Sequence, residues 1–232
     1  MTSSQYSLIF DLDGTLIDSA ADLAQAANAL LEQLGHKPLE IGIIRQLVGD
    51  GVAALVQRAM AAVNAPVKAS ELAALVERFG ELYLPVATMQ TRPYPEVAET
   101  LAMLKAKDCR MAVCTNKPQR LSVEILRALD LIQFFEAVVG GDVVKARKPD
   151  AAHLRAALDL LGADTSAAVM IGDGINDVLA AHAAGIPCLV LPSGYGSTPP
   201  EELGGDRLLA SFAEIPEAVA SLLAQGPTKS AS

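Results

Sequence analysis

The chain has 232 residues, 51% of them apolar, and a formal net charge of −9. That length suits one sizeable core with room for an insertion. The acidic balance excludes nucleic acid or an anionic membrane as the main partner, and no apolar run reaches the length of a membrane span.

The N-terminus lacks a basic segment followed by an apolar one, so no signal peptide is expected. Ser7 to Phe10 reads as a short buried strand, being apolar and bounded. Asp11 and Asp13 follow at once, and Gly14 permits a tight turn. The pattern then becomes helical: Leu23, Ala26, Ala27, Leu30, Leu31 and Leu34 share one face, and Gly35 ends it. Further helices are expected near 40–48, 51–63 and 70–85, with no strand before residue 108. The stretch Thr91-Arg92-Pro93-Tyr94-Pro95 makes a stiff connector out of this helical region.

Strands and helices alternate from there. The periodicity predicts helix 96–107, strand 110–114, helix 119–130 and strand 136–140. It continues with helix 150–162, strand 168–171, helix 176–184, strand 188–191 and helix 214–224. Such alternation means an α/β fold, a Rossmann-like parallel sheet with right-handed crossovers. The interrupting helices form an inserted α-helical cap, so 1–16 and 89–232 are expected as the core and 17–88 as the cap. The small polar tail 226–232 is expected to fray. Cys114 and Cys188 lie in strand-like runs and read as buried thiols. Three cysteines without metal-type spacing fit a reducing cytosol, hence a cytoplasmic location.

Polar residues gather where strands end. Residues two apart in extended backbone share a side, so Asp11 and Asp13 converge at the carboxyl end of the first strand. That edge is where α/β proteins place ligands. Paired carboxylates there suit a Mg²⁺ site in which one carboxylate also serves as nucleophile, although an N-cap and turn use the same residues. Thr115-Asn116-Lys117-Pro118 offers a hydroxyl and backbone N–H groups to an anion, or a plain helix cap. Lys148, before Pro149, can neutralise a phosphoryl group, whereas Lys145 and Arg147 read as a solvated basic loop. Asp173 and Asp177 are four apart and share a face if a helix starts between them. With Asp11 they make an oxygen-rich set of the kind Mg²⁺ takes. His36, His153 and His182 have no ligand spacing and read as surface or helix-packing residues.

These loops, in this order, resemble the haloacid dehalogenase superfamily over nearly the whole chain. Phe10-Asp11-Leu12-Asp13-Gly14-Thr15 resembles its first motif, Thr115-Asn116 its second, Lys148-Pro149 its third and Gly172 to Asp177 its fourth. A carboxylate at Asp13 is similar to the phosphatase and phosphomutase branches rather than the dehalogenases. Leu16-Ile17-Asp18-Ser19, Val48-Gly49-Asp50-Gly51, Arg58, Arg92-Pro93-Tyr94-Pro95 and Gly194-Tyr195-Gly196 are similar to bacterial phosphoglycolate phosphatases. Glu96 and Gly174-Ile175 depart from that subfamily's pattern.

The resemblance implies a phosphomonoester hydrolase acting on a small anionic phosphate ester, with 2-phosphoglycolate favoured. Asp11 would be the nucleophile and Asp13 the general acid and base. Thr115, Asn116 and Lys148 would hold the phosphoryl group. Mg²⁺ would be bound by Asp11, the Asp13 backbone carbonyl and Asp173, with Asp177 acting through contacts around them. Arg58 is the cap cation expected to meet a substrate carboxylate. A sugar-phosphate phosphatase, such as one acting on N-acetylmuramate 6-phosphate, a phosphomutase and a non-catalytic phosphate-binding module are the other readings. A monomer or homodimer is expected.

Overall fold

The computed structural model describes residues 6–224. The polar tail expected to fray lies outside the described residues. Strand β1 (Ser7–Phe10) leads through a tight loop into a two-residue strand β2 (Ile17–Asp18). Four helices follow: α1 (Ala20–Gln33), α2 (Ile41–Leu47), α3 (Val52–Ala62) and α4 (Ala69–Tyr83). The chain returns through β3 (Arg92–Pro93). It then runs α5 (Val97–Ala106), β4 (Arg110–Cys114), α6 (Gln119–Ala128) and β5 (Ala137–Val139). After these come α7 (Ala151–Leu161), β6 (Ala168–Gly172), α8 (Ile175–Ala184), β7 (Cys188–Val190), β8 (Arg207–Leu208) and α9 (Ile215–Ala224).

The main sheet has six parallel strands in the order β5-β4-β1-β6-β7-β8. β1 is central, which explains its uninterrupted apolar run: Leu8, Ile9 and Phe10 are fully buried because helices cover both sheet faces. Side chains alternate between two cores. Leu8, Phe10, Met111, Val113, Val169 and Ile171 face one, which Leu101, Ile125, Phe212 and Ile215 complete. Ile9, Ala112, Cys114 and Met170 face the other, which Leu154, Leu158, Val178 and Ala181 from α7 and α8 complete. Cys114 and Cys188 are buried free thiols, and Cys109 is also free.

Register decides what meets at the carboxyl edge. Phe10 is level with Val113 on one side and with Ile171 on the other. The loops opening at Asp11, Thr115 and Asp173 therefore leave the sheet side by side. The chain turns outward in opposite directions on the two sides of β1, the topological switch point where open α/β sheets bind ligands.

Helix α1 buries Leu23, Ala26, Ala27, Leu30 and Leu31 against its neighbours in the insert. Leu34, placed on that face by periodicity, is instead the cap residue and stays 41% exposed, because Gly35 at φ +80° turns the chain away. Strands before residue 108 do exist beyond β1, contrary to expectation. β2 and β3 pair antiparallel, Ile17 with Pro93 and Asp18 with Arg92, where the chain enters and leaves the helical insert. Buried Asp22 stitches this junction by accepting from Thr91 N (2.8 Å), Thr91 Oγ1 (2.7 Å) and Gln90 N (3.0 Å). Two-residue strands carry no periodicity, and only the partner strand defines them.

Candidate active site

Three carboxylates meet at the carboxyl edge of β1 and β6. One oxygen from each of Asp11, Asp173 and Asp177 lies within 4.8 Å of the others. Asp173 accepts from Thr15 Oγ1 at 2.6 Å on one oxygen and from Tyr195 N at 3.0 Å on the other. Asp177 sits in the first turn of α8, four residues on, and accepts from Asp173 N (3.2 Å) and Gly174 N (3.1 Å). Its other oxygen takes Lys148 Nζ at 2.6 Å. Lys148, 2% exposed, also ion-pairs with Asp11 Oδ1 at 3.0 Å. Gly14 makes room for the cluster: at φ +90°, a Cβ there would overlap the Asp173 carboxylate.

The electrostatics of this cluster call for more positive charge than Lys148 supplies. Burial, opposed by Lys148 and helped by the Asp177 charge, pushes Asp11 up to about 6. Burial and the neighbouring Asp11 and Asp177 charges push Asp173 well above the usual carboxylate range. Asp11 Oδ1 is buried and receives no aligned hydrogen bond. Hard oxygen donors and a shortage of cation fit a small divalent cation such as Mg²⁺. Asp177 has both oxygens engaged, which suits it to orienting Lys148 and the neighbouring loop.

Asp13 stands apart from that cluster. Ser19 Oγ donates to its Oδ1 at 2.5 Å, and Lys117 Nζ lies 2.9 and 3.1 Å from its two oxygens. Lys117 is 5% exposed and also donates to Tyr83 Oη, on α4, at 2.8 Å. Its ammonium lies 4.7 Å from the centre of the same ring. Thr115 N donates to Val139 O at 3.0 Å, and Thr115 Oγ1 accepts from Lys117 N at 3.2 Å. The Thr115 hydroxyl proton has no acceptor among the described residues, so it is available to a ligand.

Asn116 does something its motif position did not disclose. Its Nδ2 donates to Lys148 O and to Gly49 O, both at 3.0 Å, so it joins two core loops to the loop between α2 and α3. Two spaces open over the sheet edge, both lined by Asp11 and Asp13. The smaller, of about 40 Å³, also touches Leu23, Val52, Leu55, Tyr83, Thr115, Asn116 and Lys117. The larger, of about 310 Å³, reaches Gln46, Asp50, Arg58, Asp173, Asn176 and Ser197. Arg58 therefore lines the site, but its guanidinium is paired with Asp50 and donates to Leu47 O at 3.2 Å.

Lys117, Tyr83 and Asn176 lie in the site without having been singled out in the sequence. A lysine three residues beyond β4, directly before a proline-led helix, was the one available signal. Tyr83 and Asn176 are brought in by packing alone. His153 is a buried helix-packing residue, as expected, and has a further task. Its Nδ1 accepts from Lys148 N at 3.1 Å, and its Nε2 lies 3.2 Å from Val139 O. Burial and the Lys148 charge push it down to about 4, so it is neutral and sets the Lys148 backbone.

Comparison with known proteins places this edge in context. The chain is 44% identical over 220 residues to a phosphoglycolate phosphatase of Caulobacter vibrioides, covering 95% of this chain and 93% of that one. It is 37% identical over 211 residues to a phosphoglycolate phosphatase of Agrobacterium fabrum, covering 91% of each. The fold superposes on the crystal structure of a predicted phosphoglycolate phosphatase from Haemophilus somnus with a TM-score of 0.87 at 30% identity. That match covers 94% of this chain and 99% of the other. CbbY from Rhodobacter sphaeroides, solved in complex with phosphate, matches at a TM-score of 0.77 and 27% identity, over 91% of this chain and 96% of that one. The model of the haloacid dehalogenase-like hydrolases matches residues 8–191, from the second residue of β1 to the residue after β7, and the chain belongs to that family.

Proposed function

We propose that the chain is a Mg²⁺-dependent phosphomonoester hydrolase acting through an aspartyl-phosphate, with 2-phosphoglycolate as its favoured substrate. The observation that carries the reading is the pairing of Asp11 with buried Lys148 at the mouth of a cavity that Asp13 and Thr115 also line. A carboxylate with a neighbouring cation can attack phosphorus in line, and Lys148 offsets the charge on the phosphoryl oxygens. Thr115 Oγ1 and the Asn116 backbone are the proposed further donors. Asp13 protonates the leaving oxygen and then takes a proton from the water that hydrolyses the Asp11 acyl-phosphate. Asp11, Asp173 and the Asp13 backbone carbonyl are the proposed holders of Mg²⁺, with Asp177 beside them orienting Lys148; the ion when bound would supply positive charge to the clustered carboxylates and the phosphoryl oxygens.

Residues 17–88 are proposed as a cap over a core of 1–16 and 89–232, with the β2–β3 pair as its hinge. Arg58 is the proposed cap contact for an incoming anion. The substrate reading rests on the named relatives and on the small space, of about 40 Å³, that Asp13 lines together with Leu23, Val52 and Leu55. The larger space, polar at Gln46, Asn176 and Ser197, favours a second reading, a sugar-phosphate phosphatase. A panel of phosphate esters scored by kcat/KM with Mg²⁺ tests both. Highest kcat/KM on 2-phosphoglycolate is expected, with no bisphosphate needed for turnover. Preference for a bulky sugar phosphate would overturn the substrate, and a strict bisphosphate requirement would turn the reading to a mutase.

A further inference from the structure

We propose that Lys117 and Tyr83 form a carboxylate-binding subsite beside Asp13, and that this subsite selects short carboxylated phosphate esters. The inference rests on the phosphatase reading above. Lys117 is the one cation lining the smaller cavity among the described residues, and Leu23, Val52 and Leu55 make much of the remaining wall. An anion entering this space loses its water to apolar surface, so a cation and a hydrogen-bond donor must hold it.

The donors are present. A lysine ammonium has three N–H groups and no acceptor. Those of Lys117 serve both Asp13 oxygens, at 2.9 and 3.1 Å, and Tyr83 Oη, at 2.8 Å. A ligand carboxylate takes over the N–H on the longer Asp13 contact, while the other holds Asp13 in place. Tyr83 Oη accepts from Lys117, so its own hydroxyl proton has no acceptor among the described residues. Burial holds the Tyr83 phenol up at about 12, so it keeps that proton at neutral pH. Its ring is fixed by stacking on Phe79, with centroids 5.6 Å apart.

Position completes the argument. The ester oxygen of a substrate lies against Asp13, which protonates it. In a phosphorylated 2-hydroxy acid the carboxyl carbon is two bonds from that oxygen. The cation next to Asp13 is Lys117, whereas Arg58 lines the other space and is paired with Asp50. Arg58 meets the anion at the mouth, and Lys117 with Tyr83 holds its carboxylate during reaction.

The test compares 2-phosphoglycolate with ethyl phosphate, which keeps the two-carbon ester and lacks the carboxylate. Tyr83→Phe removes only the hydroxyl and preserves the ring stacking, and a thermal melt checks its fold. Its kcat/KM on 2-phosphoglycolate is expected to fall about tenfold, the loss of one hydrogen bond to a charged group, with ethyl phosphate changed by less than about twofold. Inhibition of p-nitrophenyl phosphate hydrolysis by glycolate should weaken by a similar factor. Lys117→Gln should lose more on 2-phosphoglycolate than on ethyl phosphate, and Lys117→Arg should restore part of the difference. Equal losses on the two esters, or no loss in Tyr83→Phe, would overturn the subsite while leaving the phosphatase standing. A wild-type protein that hydrolyses no phosphomonoester would overturn the phosphatase reading and the subsite with it.

Discussion

Asn176 Nδ2 donates to Asp50 Oδ1 at 2.6 Å and thereby joins the first turn of α8 to the loop between α2 and α3. The same amide reaches Gly49 O at 3.3 Å, the carbonyl that Asn116 also holds at 3.0 Å. The loop after β4 and the first turn of α8 thus grip one carbonyl of the helical insert. Burial opposes ionisation of Asp50, but Asn176 and Arg58 hold its carboxyl below the usual range. The insert is tied down at the site itself, not only at the β2–β3 junction.

Loosening that grip is expected to weaken binding more than chemistry. Asn176→Ala should raise KM for 2-phosphoglycolate about three- to tenfold, with a smaller change in kcat, because the lost bonds hold closure and touch no reacting atom. An unchanged KM would remove the grip from the catalytic cycle. Arg58→Ala should lose more kcat/KM on 2-phosphoglycolate than on p-nitrophenyl phosphate. Equal losses would confine Arg58 to holding Asp50.

Asp11→Asn should abolish turnover, by about 10⁴-fold or more for a lost nucleophile. The fold should survive. Burial disfavours the Asp11 charge, so metal-free Asp11→Asn is expected to melt no lower than wild type at neutral pH. Near-normal hydrolysis by the folded variant would exclude a covalent route through Asp11.

Asp13→Ala should slow hydrolysis of alkyl phosphates about 10²- to 10⁴-fold, the range for general acid–base catalysis. An aryl phosphate with a good leaving group needs less protonation, so its phosphorylation step should suffer less. Rapid-mixing measurements with both ester types check this, and identical losses in that step would argue against Asp13 as the acid.

Chelator should silence the enzyme, Mg²⁺ should restore it and Ca²⁺ should inhibit. Mg²⁺ takes six tight oxygen ligands, whereas Ca²⁺ takes more at longer range. Mg²⁺ should also raise the melting temperature by binding the folded state, and by less in Asp173→Asn. Full activity in excess chelator sinks the metal assignment.

His153 carries a pH signature. Its value falls from 6.5 to about 4 on folding, so below 6.5 the unfolded chain binds the extra proton first. Stability from this group is complete above pH 6.5 and is lost as pH falls toward 4. By pH 5 the loss is about 1–2 kcal/mol. The stability gap between wild type and His153→Gln should therefore narrow from pH 7 to pH 5. A gap that stays constant would mean that His153 keeps an ordinary value in the fold.

Much of this molecule is written locally. The limits of β1 and β4 match the expected strands residue for residue, because a central parallel strand must be apolar on both faces. The helices fall within a few residues of their periodic stretches, including those of the insert. Asp173 and Asp177 are legible for the same reason: spacing of four across a helix start sets their relation through the backbone of one turn. The meeting of Asp11, Asp173 and Lys148 was legible one step further out, since parallel strands in register deliver their following loops to one edge.

The sequence by itself determined the alternating elements and the ends at which polar loops emerge, because those depend on hydrogen bonds and burial within a few residues. Only the tertiary structure decided what the loops do to each other. β8 (Arg207–Leu208) exists because β7 offers it an edge, and the β2–β3 pair exists because entry and exit of the insert run together. Lys117 reaches Tyr83 across 34 positions, and Asn176 reaches Asp50 across 126. Those pairings depend on how the insert packs over the sheet edge, a sum of many small contacts that leaves no pattern in any one stretch of chain.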